Sequence, residues 1–465
     1  MVKNKVISLF LFLIFMFNNY NFISQAKYKL VIGLDPTFSP MGYVDENGNY
    51  AGVDIDLAKI YAERYNKNIE FKSINWETKE IELENGNIDL IWNGLTHTEE
   101  RAKAMELSDK YLDDNLVLVS LKENRYEDFK SLKGKNIAVQ ANSSAEKLAI
   151  DNKEIFQEIK SYPDYNQAML NLKNNSVDGV IIDEIVAKYI SGKENINIYV
   201  SKNILEKADF SVAAKKGNTQ LIEEINEFLK IAKEEGIIEN LENKWFESNP
   251  NTDKGILGTF SDILKGINNT VLVYVLTVLF SFPLAIVLSV IYLRGNKVIN
   301  AAISFYTWVF RGSPLMLQLF FFYYGLFPML GVQISAIWCA VITFILNYLA
   351  YIFEILRGGI ASVDSGQNEA SYVLGYNYVQ RFIYIILPQA IRVTLPSLSN
   401  EAIALVKDTS LINVLAITEI LLITKQIANR TATIVPYIYA FIIYLALNAI
   451  IVFIFNKLEK KYSLN

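Results

Sequence analysis

"EASYVLGYNYVQRFIYIILP", residues 369–388, lies between two long apolar segments near the C-terminus. It contains two charged residues, Glu369 and Arg381, together with Gly375 and the terminal Pro388, so it is too polar to span a bilayer. The segments on either side are long and apolar enough to do so. The stretch therefore predicts a short mixed helix between membrane spans, and it divides the second half of the chain.

Three runs of sequence without charged residues flank this stretch and predict membrane spans. Residues 266–293 are long enough to cross a hydrocarbon core of about 30 Å, and so are residues 431–456. Residues 312–353 are too long for one span and are interrupted by GLFPMLG (325–331), where glycine and proline favour a turn between two helices. A weaker candidate, residues 395–424, carries charged residues. The sequence therefore predicts five spans.

The distribution of basic residues supports an odd number of spans. If the N-terminal half is outside, five spans place Arg294, Lys297, residues 357–392 and the final lysines in the cytoplasm, as the positive-inside rule expects. Lys425 and Arg430 then fall outside. We expect a multi-pass protein of the plasma or inner membrane, in contact with lipid, with its N-terminal domain on the outer face.

The charge of the chain differs between its two halves. Residues 255–465 carry 13 Lys and Arg but only 8 Asp and Glu, whereas the whole chain has a formal net charge of −5. The first half is therefore acidic, which argues against nucleic acid as a partner. The single cysteine, Cys339, lies in an apolar run and predicts a buried core residue, and the single histidine is His97. We expect neither a disulfide nor a metal site.

The N-terminus has the pattern of an export signal. Lys3 and Lys5 precede the apolar run Val6–Phe17, and Ser24-Gln25-Ala26 fits a small-x-small cleavage site. The sequence therefore predicts a signal peptide over residues 1–26, with cleavage or retention as an anchor left open. Either outcome delivers the following domain to the outside of the cytoplasm.

Residues 27–250 alternate strand-like and helix-like segments. Strand patterns cover residues 29–34, 88–92, 116–121, 136–140 and 179–182; helical patterns cover residues 54–65 and 223–245. Such alternation predicts an α/β fold whose ligands bind at strand ends. The polar stretch SNPNTDKG (248–255) marks a boundary. We therefore predict an extracellular domain over 27–250, a linker over 251–258 and a transmembrane domain over 259–462.

The segment NGLTHTEER (93–101) predicts a carboxylate site. We expect it to form a loop after an apolar strand, where it offers hydroxyl and backbone donors. Arg101 is able to bind a carboxylate through two hydrogen bonds while Thr96 donates another. An ordinary helix N-cap at Thr98 explains the same residues, and both interpretations are compatible.

Six segments, in order, resemble the solute-binding proteins of the polar amino acid family. They are DPTFSPMGY (35–43), GVDIDLA (52–58), Trp76, NGLTHTEER (93–101), VQANSSAE (139–146) and VIIDE (180–184), and the resemblance covers nearly all of residues 28–250. It implies a two-lobed α/β domain that closes around an amino acid. Three differences leave the ligand open among glutamine, basic amino acids and histidine; they are Asn142-Ser143 in place of Gly-Thr, His97, and Gly94.

The resemblance also implies the role of each ligand-binding residue. Arg101 and Thr96 would hold the α-carboxylate, with Ser143 adding donors, and Asp183 would hold the α-ammonium group. Phe38 and Trp76 would sandwich the side chain, and Asp35 would lie at its far end. The predicted site comprises Asp35, Phe38, Trp76, Asn93, Gly94, Thr96, Arg101, Gln140, Ser143 and Asp183. Core packing of the two aromatic rings and a turn at Asp183 are the alternatives.

The opening stretch resembles the cytoplasmic loop of permeases from ATP-binding-cassette (ABC) importers. The matching residues are Glu369, Ala370, Ser371, Gly375, Ile385, Leu387 and Pro388, with Ser371 in place of a second alanine, and the wider resemblance covers residues 258–460. It implies a helix, parallel to the membrane, that docks on an ATPase and transmits its closure. A simple interfacial helix is the alternative.

The ATPase would be a separate subunit. The sequence contains no G-x4-G-K-[ST] motif, so ATP and Mg²⁺ would bind the partner and this chain would need no cofactor. The resemblance implies two copies of the chain above two ATPase subunits. Four ionisable residues lie in or near the spans: Arg311, Glu401, Lys407 and Asp408. Such residues face a pathway or pair with each other, and the alternative for Lys407 and Asp408 is that they extend to the membrane interface. Which of these applies is left open.

Together these features predict a two-lobed α/β binding domain followed by an all-α transmembrane domain of about five helices. The predicted function is ATP-driven import of a polar amino acid, by a transporter subunit that is not itself an enzyme. A ligand-gated ion channel or a receptor with the same binding fold is the alternative. All spans follow the binding domain and no T-V-G-Y-G-like filter occurs, which disfavours a channel.

Overall fold

The computed structural model describes residues 29–191, 197–246, 255–431 and 433–462. The predicted signal peptide lies outside the described residues, as do residues 247–254, which include the first half of the predicted linker. Residues 255–258 are already helical. The boundary between the two halves stays a prediction.

The α/β region contains fourteen strands and eight helices within the described residues. The strands are β1 (Lys29–Leu34), β2 (Thr37–Phe38), β3 (Gly42–Val44), β4 (Tyr50–Ala51), β5 (Asn68–Ser73), β6 (Leu90–Thr96), β7 (Met105–Leu107), β8 (Asn115–Leu121), β9 (Asn136–Gln140), β10 (Glu158–Tyr162), β11 (Gly179–Asp183), β12 (Ile198–Val200), β13 (Glu206–Lys207) and β14 (Phe210–Lys215). The helices are α1 (Val53–Arg64), α2 (Lys79–Glu84), α3 (Glu99–Ala104), α4 (Ser144–Asp151), α5 (Tyr165–Lys173), α6 (Glu184–Ser191), α7 (Thr219–Glu234) and α8 (Ile237–Phe246).

The strands form two main sheets, and each sheet is the centre of one lobe. The first has the order β5-β1-β6-β14-β7 and the second the order β10-β9-β11-β8-β12, with β13 also paired to β8. In the first sheet β1, β5 and β6 run parallel, and in the second β9, β10 and β11 do. The chain leaves the first lobe after β7 and returns through β14. This confirms the predicted two-lobed α/β fold.

The carboxyl ends of the parallel strands carry four of the predicted site residues. Asp35 directly follows β1, and Thr96, Gln140 and Asp183 are the last residues of β6, β9 and β11. Because parallel strands end at the same edge of a sheet, each lobe gathers its polar groups at one edge. The buried, β-branched residues of these strands form the sheets, and the polar residues that follow them line the edges.

Two expectations for this region were wrong in detail. Residues 93–96 were expected in a loop, but they extend β6, all seven residues of which are buried, because β14 pairs along the strand as far as Thr96. The closing helical segment 223–245 is two helices, α7 and α8. They are separated at Gly236, whose positive φ of 69° ends the first helix.

The C-terminal region is helical. Its helices are α9 (Gly255–Leu264), α10 (Ile267–Arg294), α11 (Lys297–Gly312), α12 (Leu315–Phe320), α13 (Phe327–Met329), α14 (Ala336–Ala361), α15 (Ser365–Val373), α16 (Tyr378–Arg381), α17 (Leu387–Asp408), α18 (Ile420–Thr431) and α19 (Val435–Tyr462). Turns of π-helix at 321–326 and 382–386 join α12 to α13 and α16 to α17, and a 3-10 segment covers Thr409–Leu415. Helix α14 packs between α10 and α17, and Cys339 is buried in its core as predicted.

Among the described residues, four helical segments are long and apolar enough to cross a membrane: 258–294, 336–361, 378–415 and 435–461. A shorter apolar helix covers Leu315–Met329. These segments correspond in order to the five predicted spans, but the fourth was predicted over 395–424. The fourth segment instead begins at residue 378 and ends at residue 415, because the left-handed backbone of Ala416 (φ 53°) stops the helix.

The stretch 369–388 was expected to form one short helix between spans, and this prediction was wrong. Its first part completes α15, which ends before Gly375 (φ 80°), and Asn377 caps a new helix through a capping box with Gln380. The second part, from Tyr378, continues through the π-helical turn into α17. The apolar residues at 382–387 therefore belong to the fourth long helix.

Candidate functional site

The carboxyl edges of the two sheets meet in a cleft that is closed. Nε2 of Gln140 donates a hydrogen bond of 3.1 Å to Oδ2 of Asp35, and the hydroxyls of Thr96 and Ser144 share one of 3.0 Å. Both bonds join the first lobe to the second. The structure thus brings residues from distant parts of the sequence together in one site.

Asp35 is buried at the centre of this contact. Its Oδ1 accepts hydrogen bonds from the backbone N–H of Thr37 at 2.9 Å and from the Thr37 hydroxyl at 2.6 Å, while Oδ2 accepts from Gln140. Burial raises the pKa of Asp35 to about 6, and the nearby Asp164 carboxylate adds to the effect. Asp35 therefore has its lone pairs largely occupied when the lobes are closed.

Arg101 lies at the other end of the cleft. One guanidinium nitrogen donates to the carbonyl of Thr96 at 2.9 Å, and another lies 3.5 Å from the carbonyl of Asn142 in the second lobe. The Thr98 hydroxyl also accepts from the backbone N–H of Arg101, so the N-cap interpretation holds as well. Ser143 caps α4 and donates to the carbonyl of Gln140. The predicted carboxylate donors are thus close together.

Phe38 and Trp76 form a stacked pair. Their ring centroids are 6.5 Å apart with planes 12° from parallel, and Tyr165 packs against Phe38 at 6.1 Å. Two parallel rings that hold a flat group between them are about 7–8 Å apart, which is twice a carbon–carbon contact distance. The pair has the orientation of the predicted sandwich, and the rings would have to separate slightly to admit a side chain.

Asp183 and Asp114 form a pair of buried acids, of which the sequence predicted only Asp183 as a site residue. Its Oδ2 accepts from the Tyr165 hydroxyl at 2.8 Å, and it lies next to Asp114, which also accepts from the backbone N–H of Ile185. Burial raises the pKa of both carboxyls, and for Asp114 the charge of Asp183 adds to this. An ammonium group bound here would neutralise the pair.

Asn93 and Gly94 lie behind the cleft, where they position other site residues. The side chain of Asn93 accepts a hydrogen bond of 2.9 Å from the backbone N–H of Asp35. Gly94 has a φ of 57°, and a Cβ on it would lie 2.4 Å from Cε1 of Phe38. Glycine at this position therefore allows the Phe38 ring to pack on the β6 backbone.

Lys79 is the main residue that sequence reasoning missed. Its side chain is fully buried, with Nζ 4.9 Å from the centre of the Trp76 ring, and it donates to the carbonyls of Trp76 and Asn142 at 3.3 and 2.9 Å. Burial lowers the pKa of Lys79 to about 8, and the charge of Arg101 contributes. Nothing local distinguishes it from the other lysines of the chain.

A small cavity of about 30 Å³ is enclosed beside the aromatic pair. Its lining includes Asp35, Phe38, Gln140, Asn166, Lys173 and Asn429, the last from the helical region. This volume accommodates about two water molecules, whereas ligand sites usually measure about 300–1,000 Å³. An amino acid is therefore too large for this space while the lobes are closed as they are here.

The predicted coupling residues lie on the exposed end of α15, with one exception. Glu369, Ala370 and Gly375 are exposed, but Ser371 is only 3% exposed and donates to the carbonyl of Asn368 at 2.9 Å. Ser371 was predicted to belong to the coupling surface, but it is buried and does not form part of that surface. Tyr372, Val373 and Leu374 form that surface instead, with exposures of 70%, 84% and 75%.

The ionisable residues of the helical region have different surroundings. Arg311 lies 3.7 Å from Glu354, and Asp408 accepts from the Tyr348 hydroxyl at 2.7 Å. Glu401 lines a largely apolar cavity of about 480 Å³ between α10, α14, α17 and α19. Arg311 and Asp408 therefore have partners within the chain, and whether Glu401 or Lys407 faces a pathway stays a prediction.

Comparison with known proteins identifies the two regions. Residues 281–464 match the binding-protein-dependent transport system inner membrane component family. The chain is 36% identical over 204 residues to the arginine transport system permease protein ArtQ of Bacillus subtilis, covering 44% of this chain and 93% of the relative. The octopine transport system permease protein OccM of Rhizobium radiobacter is 38% identical over 210 residues, 43% of this chain and 86% of the relative. Residues 30–248 match the bacterial extracellular solute-binding proteins, family 3.

The chain is a fusion of a family 3 solute-binding domain and an amino acid ABC permease. The binding domain is also 29% identical over 224 residues to the arginine-binding extracellular protein ArtP of Bacillus subtilis, covering 48% of this chain and 88% of that protein. The family assignment confirms the predicted fold class and fusion. The permease domain, with its long apolar helices, makes the fusion a multi-pass membrane protein. The channel alternative is not favoured.

Proposed function

We propose that the fusion captures a polar amino acid outside the cytoplasm and imports it with energy from ATP hydrolysed on a separate subunit. One observation carries the proposal. The closed cleft holds one fixed guanidinium, that of Arg101 at the carbonyls of Thr96 and Asn142, and one buried carboxyl, that of Asp183 at the end of β11. A free amino acid has one carboxylate and one ammonium group a few ångströms apart, and this pairing of fixed charges matches it.

The roles of the cleft residues follow from their positions. Arg101 and Thr96 hold the α-carboxylate, and Asp183, with Asp114 beside it, holds the ammonium group. Phe38 and Trp76 enclose the ligand's side chain, and Asp35 with Gln140 lies towards its far end. Relatives named for arginine and octopine transport support an amino acid as the ligand, and the class is glutamine, a basic amino acid or histidine.

The ATPase subunit docks on the end of α15. The exposed residues Tyr372, Val373 and Leu374 offer an apolar surface, and Glu369 adds a charge beside it. Exposed apolar patches of this kind are typical of protein interfaces. With two binding-cassette subunits below, two copies of the fusion form the membrane assembly. The basic ends of the spans face the cytoplasm and the binding domain faces outwards.

The cycle couples lobe closure to the spans. The ligand contributes contacts to both lobes and so favours the closed cleft over the open one. The first lobe is held against the permease domain, because the Glu82 carboxylate accepts from the Tyr324 hydroxyl at 3.0 Å. ATP-driven closure of the partner then moves α15 as a rigid body and switches the spans.

The test uses the full chain in lipid nanodiscs, titrated with the standard amino acids by calorimetry. Arg101→Ala should weaken the best ligand by about 30-fold or more, since removing one partner of a buried charge pair costs about 2–5 kcal/mol. Arg125→Ala, an exposed arginine stacked on Tyr199, is the matched control and should bind normally. Unchanged affinity of Arg101→Ala would contradict the proposed site.

A further inference from the structure

Helix α18 of the permease domain reaches the place where the two lobes of the binding domain meet. It packs against β2 of the first lobe and against α5 of the second. Arg430 at its end donates a hydrogen bond of 3.3 Å to the carbonyl of Val44. The helix is therefore anchored to the first lobe while it contacts the second, at the side of the cleft where Asp35 lies.

Asn429 of this helix lines the same small cavity as Asp35, Phe38 and Gln140. Its Nδ2 is buried and has no hydrogen-bond acceptor within the described part of the chain. The same is true of Nδ2 of Asn166, a residue of α5 that is only 6% exposed and lines the cavity as well. A buried donor without an acceptor destabilises the fold, so two at one cavity indicate a site for an acceptor.

The two charged residues that line the cavity favour a ligand acceptor over a further ligand donor. The Asp35 carboxylate already accepts from two groups of Thr37 and from Gln140, and Lys173 also lines the space. A guanidinium or ammonium group brings only donors to such a site. A carboxamide brings a carbonyl oxygen that accepts and an NH₂ group that donates. The cavity therefore matches the end of a neutral, acceptor-bearing side chain.

We propose that Asn429 completes the amino acid site from the permease domain. Together with Asn166 it donates to an acceptor at the far end of the bound side chain, which selects a neutral side chain of the carboxamide class over a guanidinium or ammonium group. The inference rests on the proposed function. It also means that ligand binding and docking of the two domains strengthen each other, because Asn429 reaches the ligand only when the two domains are docked.

The experiment titrates the full chain in nanodiscs, without nucleotide, with glutamine and with arginine. Asn429→Leu removes the donor at similar size, and glutamine should bind about five- to tenfold more weakly, while arginine should change by less than about twofold. Asn429→Asp replaces the donor by an anionic acceptor and should shift the preference towards arginine. Asn268→Leu, at an exposed asparagine of α10, is the matched control and should bind both ligands normally.

The outcomes separate this inference from the proposed function. If Asn429→Leu binds glutamine as tightly as the parent while Arg101→Ala does not, the role of Asn429 is overturned and the amino acid site stands. If Arg101→Ala retains normal affinity, the proposed site itself fails. If the parent chain binds arginine more tightly than glutamine, the proposed selectivity is overturned. Melting temperatures of all variants, measured without ligand, show whether each is folded.

Discussion

Gln140 of the second lobe donates a hydrogen bond of 3.1 Å to the Asp35 carboxylate of the first lobe, and this bond closes the cleft at the cavity. Opening the lobes breaks the bond and exposes Asp35 to water. Because burial raises the pKa of Asp35 to about 6 in the closed form, the open form should return it to its ordinary value near 4. Lobe closure is thereby linked to the protonation of Asp35.

The first prediction concerns the pH dependence of closure without ligand. The closed form holds the Asp35 proton more tightly than the open form does, so closure becomes more favourable as the pH falls from about 6 to about 4. Above about pH 6 Asp35 is ionised in both forms, and its buried charge opposes closure. The closed-to-open ratio should rise by up to about a hundredfold as the pH falls from about 6 to about 4. Energy transfer between dyes at Lys103→Cys and Lys153→Cys measures it, since both positions are exposed and Cys339 is buried.

Asp35→Asn should remove most of this pH dependence. Asp151→Asn, an exposed acid of the second lobe, serves as the control and should leave it intact. A steep dependence that persists in Asp35→Asn would assign the linkage to another group.

The second prediction concerns Lys79. Its lowered pKa of about 8 means that the closed form disfavours the charged ammonium group. At pH 7 a charged Lys79 therefore opposes closure. This opposition fades as the pH rises from about 8 to about 10 and the side chain loses its proton. Lys79→Met keeps the apolar stem against Trp76 and should increase the closed fraction at pH 7 severalfold. The same dye pair measures it, with the exposed Lys122→Met as control. A smaller closed fraction would show that the hydrogen bonds of Lys79 outweigh its desolvation.

The third prediction separates backbone strain from packing at Gly94. Gly94→Ala places a Cβ 2.4 Å from Phe38, whereas Gly86, with a similar positive φ of 70°, has no atom within 4 Å of such a Cβ. Both substitutions carry the strain of a left-handed alanine, about 1–2 kcal/mol. Gly94→Ala should lower the melting temperature further, by an overpacking penalty of about 1–3 kcal/mol, and should weaken ligand binding by displacing the Phe38 ring. Equal melting temperatures would contradict the packing argument.

The fourth prediction concerns domain docking at Glu82 and Tyr324. Tyr324→Phe removes the hydroxyl that donates to the buried Glu82 carboxylate and also contacts the Thr78 hydroxyl. The loss should weaken docking by about 1–3 kcal/mol. Energy transfer between dyes at Lys103→Cys and Asn268→Cys reports the docked fraction. Tyr384→Phe, at an exposed tyrosine, is the control. Normal uptake with fewer docked molecules would separate docking from transport.

The residues at strand ends could be predicted from the sequence, because the cause is local. Asp35, Thr96, Gln140 and Asp183 each end or follow a run of buried apolar residues, and the geometry of parallel strands brings them to one edge of each sheet. The family resemblance then ordered them into a site. The structure adds that Asn93 and Gly94 act from behind the cleft, which their sequence neighbours do not reveal.

Lys79 and Asn429 could not be predicted, because tertiary packing alone brings them to the cleft. Lys79 lies in a segment with the composition of an ordinary surface helix, and Asn429 lies in the opposite domain. The course of residues 369–388 was missed for a different reason. Gly375 predicts a break, but the sequence does not show that the helix beginning at Tyr378 continues through a π-helical turn into α17.

The last prediction concerns the coupling of α15 to the ATPase. Gly375 has a φ of 80° and no atom within 4 Å of a Cβ placed on it, so Gly375→Ala and Gly375→Arg carry the same backbone strain and the Cβ of neither meets another atom. Only arginine adds bulk to the exposed end of α15. Gly375→Arg should therefore abolish uptake in vesicles and release the ATP-binding subunit during purification, while Gly375→Ala retains both. Calorimetry should give both variants the ligand affinity of the parent, because the cleft is remote from this turn. If Gly375→Arg transports normally, the ATPase does not dock at this end of α15, and the exposed residues Tyr372, Val373 and Leu374 have some other partner.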